Sequence, residues 1–253
     1  MSLFDDHIEQ IARYLVRMRA TGRPVREMQA GGLLFKVGPS AGPGLVLKSE
    51  TFMELGSPTV GSCALVLLTE EAALVRDGRI TLVGPDMTEC EPGVTLPFGQ
   101  VIVAAGPGLT EAHYPALVET QYVADQIEGF MVKSTPGRVW GRVSMGVAVK
   151  GFDFAFLGAA LRKLVMTHLP EATAVETVFV TSGKADLEPL GEIAAAAGVI
   201  ARDLKKQRWE ERGIDLDDCA FGGHCGSCPD KTVCDEVKKL AHARKRLAAE
   251  AEA

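Results

Sequence analysis

Four of the chain's six cysteines, Cys219, Cys225, Cys228 and Cys234, fall within sixteen positions, in the stretch "CAFGGHCGSCPDKTVC". For four thiolates to meet at one centre the backbone between them must fold back tightly, and Gly222, Gly223 and Gly226 supply the φ values that other residues resist. A secreted disulfide framework would spread its cysteines through the fold, and a chain of 253 residues does not need one to hold its core. A metal site in a reducing cytoplasm fits better.

Two occupants compete for the Cys-x5-Cys-x2-Cys-x5-Cys spacing. Zinc is satisfied by four thiolates in a tetrahedron at ~2.3 Å, whereas a [4Fe-4S] cluster takes four cysteines set farther apart. Zinc sites commonly pair two short knuckles, and here only Cys225 and Cys228 have that spacing. The five-residue arms favour the cluster, with zinc the alternative. His224, directly beside Cys225, reads as exposed or as a support to the ligands in preference to a ligand itself. The bland reading is that the metal only staples a short C-terminal module with no core of its own.

The rest of the chain has the composition of a globular protein, with 47% apolar and 24% charged residues. A formal net charge of −6 argues against wholesale binding to nucleic acid or membrane. The N-terminal segment sets Ile8, Ile11, Leu15 and Met18 at helical spacing, capped by Asp5 or Asp6 and stopped near Gly22, so it reads as a helix and not as a signal peptide. No apolar run approaches the ~20 residues that span a bilayer. "GLLFKV", "GLVLKS", "SCALVLLT" and "TLPFGQVIVAAG" are predicted strands, and Asp77-Gly78 in "ALVRDGRITLVG" predicts a hairpin.

A helical pattern is expected from Thr110 to about Phe130, then a strand in "RVWGRVS", a helix in "FDFAFLGAALRKLVMTHL", a strand in "VETVFVT" and a helix from Asp186 to about Arg212. A last amphipathic helix is expected after Cys234. Hairpins followed by alternating helices and strands give an α+β fold, with a mixed or mainly antiparallel sheet covered by helices. Residues 1–212 form the main domain and 213–253 a small metal or cluster module, with the boundary near Gly213. Cys63 reads as a buried small hydrophobe and His168 as a helix cap. Gly106 and Gly108 read as a strand-to-helix connection, and the Glu210-Glu211 and Asp217-Asp218 pairs as solvated.

From about 48 to 181 the sequence resembles the middle domain of the acetyl-CoA synthase (CO-methylating) β subunit of the CO dehydrogenase/acetyl-CoA synthase complex. The segments that carry this are "ETFMELGSPTV", "DGRITLVGPDMTE", "TLPFGQVIVAAG", "QIEGF", "VWGRVSMGVAVKGF" and "FLGAALRKLV", in the family's order and with similar spacing. The resemblance implies an α+β domain followed by a C-terminal domain whose cluster joins a [4Fe-4S] cube to two nickel ions. By position, Cys219, Cys225, Cys228 and Cys234 look like the cube ligands, which raises iron above zinc. It also implies coenzyme A binding near a tryptophan, here Trp140. Arg138 and Arg142 flank it at alternate strand positions, so the three side chains share one face. Adenine stacks on an indole and guanidiniums hold phosphates; the competing reading is a core tryptophan with two ion-paired arginines.

The departures bear on activity. The family's cysteine spacing is longer, its distal nickel sits in a Cys-Gly-Cys square plane, and its N-terminal domain has no counterpart here. "CGSC" replaces Cys-Gly-Cys, so nickel is not supported and acetyl-CoA synthesis by this chain alone is not expected. The leading expectation is a cytoplasmic iron–sulfur accessory or electron-transfer component of anaerobic one-carbon and acetyl-CoA metabolism, working with a redox, corrinoid or methyltransferase protein. The alternatives are a divergent CoA-dependent synthase or methyl/acyl transferase, and a structural zinc-tail adaptor.

Overall fold

Three largely apolar strands set the architecture. β3 (Ser62–Thr69), β6 (Phe98–Ala105) and β9 (Ala174–Val180) are buried on both faces almost throughout, the pattern of strands covered on two sides. β1 (Val25–Gln29) and β4 (Arg79–Val83) complete a five-stranded sheet in the order β1-β4-β9-β6-β3. Its ladders alternate: β1/β4 and β6/β9 are antiparallel, β4/β9 and β3/β6 parallel. A second sheet has the order β5-β2-β8-β7, from β5 (Thr95–Leu96), β2 (Thr51–Leu55), β8 (Arg138–Ser144) and β7 (Phe130–Thr135).

The computed structural model describes residues 2–41, 44–121, 126–135 and 137–211, with residues 232, 233, 235, 236 and 239 beyond them. The chain divides into two units, Met1–Ile200 and Ala201–Ala253. Both sheets belong to the first. The expected boundary near Gly213 and the four clustered cysteines lie outside the described residues. Of the helix expected after Cys234, the described residues are helical, and Lys239 Nζ donates to Glu236 Oε1 at 2.9 Å.

Helices cover the large sheet as the α+β reading predicts. α1 (Asp5–Ala20) turns Ile8, Ile11, Leu15 and Met18 inward. Its cap differs from expectation, because Phe4 holds that position and Asp5 lies inside the first turn. There the carboxylate accepts from Ser2 N and Thr69 Oγ1, both at 2.7 Å, so it ties the helix start to β3. After the short α3 (Met145–Ala148), α4 (Phe154–His168) is capped by Asp153, whose side chain accepts from Phe156 N at 2.7 Å. Gly158 lets α4 approach closely, since a Cβ there would lie 2.6 Å from Ile80. His168 caps as expected, its Nδ1 2.8 Å from Leu164 O. α5 (Lys184–Glu211) packs Leu187, Leu190 and Ile193 inward.

Four further local expectations fail. "GLLFKV" and "GLVLKS" form no strand among their described residues. Leu33, Leu34, Leu45 and Leu47 are exposed, and only Val37 bridges to Ile127. Of the helix expected from Thr110 to about Phe130, the described residues include a 3-10 turn at Glu111–His113 and α2 (Tyr114–Thr120), and from Ile127 onward they are not helical. Gly38 N donates to Gln126 O at 2.8 Å and Glu128 N to Lys36 O at 3.0 Å, which draws residues 126–128 into pairing with 36–38. Asp77-Gly78 does not close a hairpin. Gly78 takes the positive φ of 73° that the dipeptide promises, but residues 72–74 form a 3-10 turn and β4 pairs with β1 and β9 instead. Asp77 is engaged elsewhere, accepting from Arg162 Nε and Nη2 at 2.7 and 2.6 Å, and that guanidinium holds its carboxyl below the usual range.

Candidate functional site

β8 alternates cleanly. Val139, Gly141 and Val143 face inward, while Arg138, Trp140 and Arg142 share the outer face as predicted. Trp140 is 38% exposed, which removes the core-tryptophan reading. The two arginines divide. Arg142 Nε donates to Glu54 Oε1 at 2.9 Å, from the residue directly opposite on β2. Arg138 has no ion-pair partner among the described residues.

The sheet adds a cation that the sequence reading missed. Lys133 on β7 stands directly opposite Trp140, with Thr135 opposite Arg138 and Met131 opposite Arg142. Lys133 is exposed and, among the described residues, unpaired. Like charges on neighbouring sheet positions repel, so an uncompensated Lys133 and Arg138 beside an open indole favour an anionic ligand with an aromatic part. The missed signal was Pro136-Gly137 between "FMVKST" and "RVWGRVS". Extending the preceding helix to Phe130 hid the hairpin and with it the register.

Two contacts hold this hairpin in place. Gly137 adopts φ 74°, and its carbonyl accepts from Ala64 N at 3.0 Å. Ser62 Oγ accepts from Val139 N at 2.9 Å, so β3 anchors the start of β8. Gly141, beneath the site, must be small, because a Cβ there would lie 2.8 Å from the Phe130 ring and 3.1 Å from Met131 O. Gly141→Val is expected to destabilise the protein by about 1–3 kcal/mol through overpacking, read from the urea unfolding midpoint. An unchanged midpoint would show that the ring swings aside freely.

Elsewhere the expectations are structural. Cys63 is buried, and burial pushes its thiol up to about 11, the behaviour of an inert small hydrophobe. Gly106 accommodates backbone, since a Cβ would lie 2.1 Å from Glu171 O. Among the described residues no group of three or more His, Cys, Asp or Glu side chains is placed to share a metal ion.

A sequence profile for the CO dehydrogenase/acetyl-CoA synthase complex beta subunit matches residues 35–185. That is more than half of the 253 residues. The chain belongs to this family. Beta subunit 1 of the acetyl-CoA decarbonylase/synthase complex of Methanosarcina thermophila is 31% identical over 185 residues, 72% of this chain and 38% of that protein. Beta subunit 1 of Methanosarcina acetivorans is 32% identical, covering 73% of this chain and 37% of its own length. The Methanopyrus kandleri beta subunit is 26% identical over 68% of this chain and 36% of its own length. The chain thus spans well under half the length of these relatives. The region matching the beta-subunit family takes in the entire small sheet and the Trp140 face. The clustered cysteines lie beyond it. Among the described residues no helix is long and apolar enough to cross a membrane.

Proposed function

We propose that this protein is an iron–sulfur accessory or electron-transfer component of one-carbon and acetyl-CoA metabolism whose beta-subunit-like domain binds coenzyme A on the outer face of its small sheet. The observation that carries the ligand is the open indole of Trp140 with Lys133 and Arg138 unpaired beside it, inside the region matching relatives named for an acetyl-CoA complex. The adenine stacks on Trp140 and the cations hold phosphate. In the tail, Cys219, Cys225, Cys228 and Cys234 hold a [4Fe-4S] cluster, which supplies one-electron transfer when bound. Membership of a family of complex subunits supports a protein partner, which in this reading is of redox, corrinoid or methyltransferase type and meets the protein in the cytoplasm.

Coenzyme A is expected to quench the fluorescence of the native protein, and Trp140→Ala is expected to lose that response. Failure of both proteins to respond by fluorescence or calorimetry removes the coenzyme A reading. The alternative of a divergent CoA-dependent transferase is favoured by the family itself. Acetyl exchange between labelled acetyl-CoA and CoA, measured anaerobically, would establish it. The zinc-tail adaptor requires about one zinc per chain and no redox signal.

A further inference from the structure

We infer that the phosphomonoester of a coenzyme A molecule stacked on Trp140 is held at the hairpin end of the small sheet by Lys133 and Arg138, and that Glu54 keeps Arg142 out of the ligand set. This rests on reading the face as a coenzyme A site. The face is electrostatically lopsided. Toward Gly137, Lys133 and Arg138 are two cations with no partner among the described residues. Toward Ser144, Arg142 is balanced by Glu54, at 2.9 Å.

The geometry matches the ligand's chemistry. Residues directly opposite on paired strands have Cβ atoms about 4.5–5.5 Å apart, so Lys133 stands beside the Trp140 ring. Arg138 lies two residues along β8, about 7 Å away. The ribose phosphomonoester is the phosphate nearest the adenine, and a monoester carries more negative charge than either pyrophosphate unit. It belongs at the end with uncompensated positive charge. Arg142 is a poorer grip, because its charge is already balanced by Glu54, which takes its Nε donor at 2.9 Å. The Glu54 carboxylate also repels phosphate.

Fluorescence titrations with coenzyme A and with dephospho-CoA, in a Trp209→Phe background so that Trp140 alone reports, test this. Lys133→Gln and Arg138→Gln are each expected to weaken coenzyme A about tenfold, one charged hydrogen bond. Both variants should bind it no better than dephospho-CoA, and Lys133→Arg should restore the preference. Arg142→Gln should stay within about twofold, and Glu54→Gln should tighten binding by freeing Arg142. The inference is overturned if Arg142→Gln takes the tenfold loss while Lys133→Gln and Arg138→Gln bind normally, or if coenzyme A and dephospho-CoA bind wild type equally. Either result leaves the coenzyme A site standing. Absence of any response in wild type removes the site itself. Circular dichroism of each variant separates lost binding from lost fold.

Discussion

Protein carrying Cys225→Ala and Cys228→Ala together is expected to emerge from anaerobic purification without iron, acid-labile sulfide or the visible absorbance of a cluster, where the native chain holds about four irons. These two residues are the Cys-x2-Cys centre of the motif, and removing them leaves only the thiolates of Cys219 and Cys234, fifteen positions apart. Two ligands do not hold a cube. The fold of the first unit should survive, because among the described residues every buried apolar side chain lies at or before Ala197. Far-UV circular dichroism of the variant should therefore keep its sheet signal while the metal is lost. Native protein that carries zinc alone would contradict the cluster and leave the adaptor reading in its place.

The elements that could be read from the sequence are those whose local pattern and tertiary role agree. "SCALVLLT" and "RVWGRVS" are β3 and β8 to the residue. The first is apolar because both its faces are covered, and the second alternates because one face is open. The failures share one cause. In "GLLFKV" only Lys36 and Val37 meet a partner segment among the described residues, so Leu33 and Leu34 stay exposed. Residues 126–128 have helical composition yet pair with residues 36–38 across some ninety positions of chain. Such pairing depends on where distant segments arrive, which short-range periodicity does not encode.

The candidate site was legible along one strand and illegible across strands. Period-two alternation placed Arg138, Trp140 and Arg142 on one face without knowledge of the fold. It could not distinguish the two arginines, which differ only through Glu54, eighty-eight positions earlier than Arg142. Nor could it recruit Lys133, whose relation to Trp140 exists only in the β7/β8 register. A polar face on a rigid sheet is thus assembled from residues that are individually unremarkable.

Phe179→Ala is expected to cost about 3–5 kcal/mol, a large part of the ~5–15 kcal/mol that holds a typical domain folded. Phe179 is fully buried in β9, with ring centroids 5.0 Å from Phe154 and 6.1 Å from Phe98. Phe98 opens β6 and Phe154 opens α4, so one ring joins two strands of the large sheet to the helix covering them. Truncation removes the transfer free energy of the ring and leaves a void, which the close-packed neighbours fill only in part. The urea midpoint should fall with an unchanged slope, the sign of lost stability without a change in the surface exposed on unfolding. Trp140→Ala makes the opposite pair of changes. Its side chain stands on an open face, so the midpoint should move little while the response to coenzyme A disappears. A Phe179→Ala loss under about 1 kcal/mol, below even the removal of two buried methylenes, would mean that the three rings are not the junction between β6, β9 and α4.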